Sequence, residues 1–160
     1  MFSLRKLFSL FKGLKTPATQ NNNRLILYNA ALKVIGLDAS PNDEAPDEYG
    51  CAETVNSIHA MAFHIPIGGD VSTYRMYRAL LNHKLFNKVD KPLEGDIVIS
   101  PTGYGNGVVS NGHVGIVSEA GRIMSNSSSS GRWGESYTLN SWKKRYVDRG
   151  GYPMVYFRRV

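Results

Sequence analysis

The one cysteine of the chain, Cys51, follows a glycine and opens the run Cys51-Ala52-Glu53-Thr54-Val55-Asn56-Ser57-Ile58. Ala52, Val55 and Ile58 recur at helical spacing, so the run predicts a helix that begins at the thiol. A thiol at a helix N-terminus feels the positive end of the macrodipole, which favours thiolate over thiol. Downstream, Asn111-Gly112-His113-Val114-Gly115-Ile116-Val117 reads as a strand carrying a single histidine. A thiol on a helix start facing a histidine on a strand suits nucleophilic hydrolysis, in which sulfur attacks and imidazole carries the proton. Each residue alone has an ordinary reading as a small buried hydrophobe or a structural histidine. What points to chemistry is the joint context: glycine before the thiol, helix after it, and small residues beside His113.

Composition narrows the field. The chain has 160 residues, 42% hydrophobic and 20% charged, which suits one domain with a core of its own. A single cysteine excludes an internal disulfide framework. The formal net charge of +6 favours anionic partners such as nucleic acid, anionic lipid or bacterial wall polymers. Nucleic acid is disfavoured among these, because no RNP-like, helix-turn-helix or zinc motif is present. His59, His64, His83 and His113 have no ligand spacing, so no metal or other cofactor is expected. The acids Asp43, Glu44, Asp47 and Glu48 lack the alternation and glycine of an EF-hand and read as a solvated loop.

The elements that must position Cys51 and His113 follow from periodicity. Residues 1–15 form a basic amphipathic segment: Leu4, Leu7, Phe8, Phe11 and Leu14 share a helical face beside Arg5, Lys6, Lys12 and Lys15. Such a helix suits an anionic membrane surface, or docking on the domain or a partner protein. It lacks the apolar core and cleavage site of a signal peptide. Residues 16–23 read as a polar linker, and 24–160 as the hydrolase domain. Asn23 is placed to cap a helix from Arg24 to about Ile35, with Leu25, Leu27, Ala30, Ala31 and Val34 inward. A helix from Cys51 to about Phe63 follows, then one from Ser72 or Thr73 with Tyr74, Tyr77, Leu80 and Leu81 inward. Beyond Pro92 the pattern alternates: strands are expected at Asp96–Ser100, Gly112–Ser118, Arg122–Asn126 and Tyr152–Arg158. Ser127–Gly134 reads as a polar loop, and Leu139–Tyr146 holds a short helix with Trp142 inward. Helices first and antiparallel strands after them predict an α+β domain with helices on one side of a sheet.

The order Gly50-Cys51-Ala52 on a helix, Gly95-Asp96-Ile97-Val98, then Gly112-His113-Val114-Gly115-Ile116-Val117 resembles the NlpC/P60 and CHAP cysteine peptidases and amidases. The resemblance spans about residues 24–160 and implies a papain-like NlpC/P60-CHAP fold, with N-terminal helices packed on a central antiparallel sheet. It implies cleavage of amide bonds in bacterial peptidoglycan, with Cys51 as nucleophile and His113 as base. A phage lysis or wall-penetration role is the leading expectation, and an inactive structural or wall-binding module of the same fold the alternative. The cysteine motif lacks the Asp-Cys-Ser-Gly form of NlpC/P60 proteins and is closer to CHAP. The family's third residue, at the end of the next strand, falls on Ser125 or Asn126. Chemistry favours Asn126, whose amide oxygen can accept the imidazole N–H. Tyr49 and Tyr104 are candidates for the rim of the substrate site. Trp133 is a candidate wall of a substrate groove, with packing in the core as its other reading.

Overall fold

The computed structural model describes residues 17–38, 46 and 49–160. The amphipathic segment 1–15 and the acids Asp43, Glu44, Asp47 and Glu48 lie outside the described residues. Helix α1 spans Pro17–Lys33. It therefore starts about two turns before the expected Arg24, and Asn23 is not its cap. A proline suits that start, because its fixed φ is helical and its missing N–H has no partner in a first turn. Leu27 and Ala31 are fully buried, whereas Leu25, expected inward, is exposed. Arg24 takes the inward place beside it: its guanidinium binds the Glu94 carboxylate at 3.0 Å and the Glu94 carbonyl. Leu25, about 100° further round, is turned outward.

Helix α2 spans Cys51–Phe63, as the apolar stripe predicts, and buries Ala52, Val55 and Ile58. Helix α3 spans Thr73–Asn82 and is capped by the Ser72 hydroxyl, which accepts from the Arg75 N–H. Its buried face is Thr73, Met76 and Leu80, with Tyr77 half-buried. Tyr74 and Leu81, expected inward, are exposed. The large apolar residues of the helix share one broad face, and Tyr74 and Leu81 stand together at the edge of it that the core does not cover.

The six strands are β1 (Phe86–Val89), β2 (Ile97–Ser100), β3 (His113–Val117), β4 (Arg122–Ser127), β5 (Arg132–Thr138) and β6 (Val155–Arg159). They form one sheet in the order β1-β6-β2-β3-β4-β5, with every adjacent pair antiparallel. The C-terminal strand is thus central, between β1 and β2. Strands β1 and β5 are not anticipated by the sequence pattern. They are the two edges, where half the residues face solvent and the apolar signal is weakest.

Alternation along the strands sorts side chains to two faces. Ile97, Ile99, Val114, Ile116, Met124, Trp133, Val155 and Phe157 meet the helices α1 to α3 in the main core. Val98, Val117 and Ile123 meet Trp142, Tyr146 and Tyr152 on the other face. That second layer comes from a short helix α4 (Leu139–Trp142) and a π-helical stretch at Lys143–Arg149. The Thr138 hydroxyl starts α4 in a capping box with Ser141.

Two glycines of the motif strands are required by close approach. Gly95 has φ +84, and a Cβ there would collide with the Arg24 carbonyl. A Cβ on Gly115 would lie 2.6 Å from the Met124 carbonyl oxygen, where β3 presses on β4. Asp96 of the same motif is fully buried. It accepts from Arg158 Nε at 2.9 Å and Nη2 at 2.7 Å, and from the Leu93 N–H at 2.7 Å. This pair ties β2 to β6.

Candidate active site

Cys51 is the first residue of α2, and its sulfur lies against the start of β3. The preceding Gly50 supplies no side-chain cap, so the first amides of the helix stay available. The N–H groups of Val114, Ala52 and Cys51 itself reach the sulfur. Val114 can spare its N–H because β3 and β4 pair only at Ile116↔Met124 and Val117↔Ile123, and the paired register ends before Val114. The three amides favour a thiolate, but burial outweighs them and pushes the Cys51 thiol up to about 11. The helix-start expectation is thereby corrected: a terminal dipole is worth about 0.3–1 kcal/mol, whereas full burial moves a pKa by as much as roughly 3–5 units.

His113 opens β3 and is buried at 7% exposure. Its ring leaves toward the second face and stacks on Tyr146 at 5.6 Å between centroids and 13° between planes. Trp142, at 5.1 Å, and Tyr137, at 5.5 Å, complete an aromatic cage. Burial, then the nearby charge of Arg145, push the imidazole down to about 3; a hydrogen bond to the Asn126 backbone carbonyl acts in the opposite sense. Cys51 and His113 line one cleft of about 420 Å³. Both are uncharged at neutral pH.

The cleft is built by tethers that reach it from several elements. The Thr73 and Thr102 hydroxyls lie 2.9 Å apart, and Thr102 Oγ1 accepts the Gly112 N–H at 2.9 Å, next to His113. Trp142 Nε1 donates to Ser100 Oγ at 3.0 Å, which locks the indole under the imidazole. The Tyr152 hydroxyl donates to the Val109 carbonyl at 2.8 Å and holds the glycine-rich loop between β2 and β3.

The other expected site residues fall as follows. Tyr49 lines the cleft and is exposed. Tyr104 is exposed but stands outside the cleft lining, beside Tyr74 and Tyr77 at centroid distances of 6.0 and 5.5 Å. Trp133 is not in a loop: it is on β5, 1% exposed, and its Nε1 donates to the Ala31 carbonyl at 3.2 Å. It packs in the helix-side core and does not line the cleft. Asn126 pairs with Trp133 across β4 and β5, so its side chain shares that face. The His113 ring is on the opposite face. For that reason the main-chain carbonyl of Asn126, not its amide oxygen, meets the imidazole. By the same alternation Ser125 faces the His113 side, fully buried, with its hydroxyl 3.5 Å from the Asn126 carbonyl oxygen.

Sequence reading missed Tyr137, Arg145 and Tyr146, which also line the cleft. They lie on β5 and the π-helical stretch. A π-helix has no simple sequence period, although such stretches gather at functional sites.

A helix that begins with cysteine, laid across an antiparallel sheet whose strand begins with histidine, defines a papain-like α+β protein. No family model matches the sequence, and no curated protein matches it significantly. A solved structure matches in fold: a chain of the type VI native effector–immunity complex Tae3–Tai3 from Ralstonia pickettii. The match covers 86% of this chain and 98% of that one, with a TM-score of 0.56 and 16% identity. At that identity the likeness is one of architecture.

Proposed function

We propose that the chain is a peptidoglycan hydrolase, an endopeptidase or amidase that cuts an amide of bacterial wall peptides through Cys51 and His113. The observation that carries this reading is the sulfur of Cys51 held among three backbone N–H groups in the same cleft as a buried imidazole. The likeness to a chain of an effector–immunity complex agrees with it at the level of fold. Phage lysis and a type VI effector role are two settings for the same chemistry.

In the resting site the proton stays on sulfur, because the thiol is pushed up and the imidazole down. Attack is therefore coupled to proton transfer: the S–C bond forms as His113 takes the thiol proton. The amide oxygen gains charge and is met by the amides of the helix start, which turn from sulfur to oxyanion. His113 then gives its proton to the leaving nitrogen as the C–N bond breaks. Water, deprotonated by His113, opens the thioester, releases a carboxylate and restores the thiol. The Asn126 carbonyl steadies the imidazolium that forms at each transfer.

The test is digestion of purified peptidoglycan by the protein and by Cys51→Ala, followed by mass spectrometry of the soluble products. New amine and carboxylate ends are expected with the cysteine and none without it. Products that persist in Cys51→Ala exclude the mechanism. Wall binding with no products from either protein points instead to a non-catalytic wall-binding module.

A further inference from the structure

Arg145 lines the cleft that holds Cys51 and His113, and its positive charge is felt by the imidazole. It is exposed, and its guanidinium lies 5.6 Å from the centroid of the Tyr146 ring, the ring on which His113 stacks. Four ion pairs occur among the described residues, and none of them uses Arg145. No Asp or Glu lines the cleft among the described residues; the remaining lining is hydroxyl, amide, aromatic or small apolar. Ser72, Ser110, Asn111 and Ser128 supply neutral hydrogen-bonding groups. The cleft thus carries one unspent positive charge, steadied on an aromatic face beside the nucleophile.

We propose that Arg145 is the carboxylate-reading group of this cleft, and that the molecule bound there is a peptide with a free carboxylate close to the amide that is cut. This rests on the hydrolase reading above and adds the chemistry of its substrate. A planar guanidinium can offer two parallel N–H bonds to a carboxylate, which fixes orientation as well as affinity. Wall stem peptides suit this demand, since they present carboxylates next to their amide bonds. The bound anion has a second effect. The rings against His113 are Tyr137, Trp142 and Tyr146, and Cys51 lines the same cleft; all are neutral, and Arg145 is the charge that acts on the imidazole. A carboxylate that neutralises Arg145 therefore makes His113 a better base when substrate is in place.

The experiment separates binding from turnover. Calorimetry on Cys51→Ala protein uses a synthetic stem tetrapeptide with γ-linked D-glutamate and meso-diaminopimelate. One form has free carboxylates; in the other they are carboxamides. A charge-assisted pair predicts that the free acid binds roughly tenfold or more tightly. In Cys51→Ala/Arg145→Gln that advantage should shrink to about twofold, and Arg145→Lys should regain part of it as a point charge without the fork. Equal binding of the two forms, no binding of either, or an advantage that survives Arg145→Gln overturns the proposal. Wall digestion by the unaltered protein reports on hydrolysis separately. A carboxylate preference without turnover defeats only the hydrolase reading, and turnover without the preference defeats only the role of Arg145.

Discussion

At the scale of single residues, the site rests in its uncharged form. Cys51 is raised to about 11 and His113 lowered to about 3, each by burial first. A preformed thiolate–imidazolium pair would react with iodoacetamide at a rate that is flat across neutral pH. Here the rate at Cys51 should climb about tenfold per pH unit, without a plateau below about pH 9, because the thiolate fraction does so. Mass-spectrometric alkylation rates from about pH 5 to 10 test this, since Cys51 is the only thiol. A plateau reached near pH 5 or 6 would show that the ion pair exists in solution. Tyr146 is likewise raised above the ordinary phenol value: burial comes first, then its hydroxyl partner Tyr137 at 3.3 Å.

At the scale of elements, the Gly-Asp strand start is structural, whereas the His strand start opens on the cleft. Gly95 admits the Arg24 carbonyl, and Asp96 anchors β6 through the two bonds from Arg158. Asp96 is fully buried, while the Arg158 side chain keeps 20% exposure. Asp96→Asn should cost about 3 kcal/mol, because it leaves a partly buried guanidinium without its anion. Urea unfolding followed by fluorescence measures the loss; a change within about 0.5 kcal/mol would mean that water replaces the carboxylate at no cost. The alternation of β4 is equally decisive for the site. It turns Asn126 toward Trp133 and Ser125 toward the histidine side, and leaves the main chain between them to face the ring.

At the scale of the whole molecule, two histidines are buried neutral in separate places. His113 sits in the aromatic cage. His59 sits in the helix-side core, with Nδ1 2.6 Å from the Ile65 carbonyl oxygen and Nε2 3.1 Å from Arg159 Nη1. Arg159 in turn lies 3.9 Å over the Phe63 ring. His59 is lowered to about 4 and His113 to about 3, from an ordinary 6.5. Between those values the unfolded chain binds protons that the folded chain refuses. Stability from this source is therefore full above pH 6.5 and falls as the medium is acidified toward pH 4 and 3. Each histidine contributes a slope of about 1.4 kcal/mol per pH unit in that window. Urea midpoints at about pH 7, 5.5 and 4.5 should drop steadily; a midpoint unchanged to pH 4.5 would mean that both rings take up protons in place.

The sequence by itself determined the local parts of this protein. Cys51 as the first residue of a helix, a helix start at Ser72 or Thr73, strands within Asp96–Ser100 and Gly112–Ser118, and Trp142 turned inward all follow from short-range periodicity and capping chemistry. Those signals are carried within a few residues, so they are legible without the fold. What only the tertiary structure decided is non-local. The insertion of β6 between β1 and β2 joins residues about 60 to 70 apart in the chain, and no local pattern encodes that pairing. Trp133 reads as loop because its strand is an edge, and becomes core once α1 covers it. Arg145 and Tyr146 reach the cleft only because a π-helical stretch brings them beneath β3. The charge state of Cys51 was decided there too. Periodicity reveals the helix dipole that lowers a thiol, but only packing sets the burial that raises it, and burial is the larger effect.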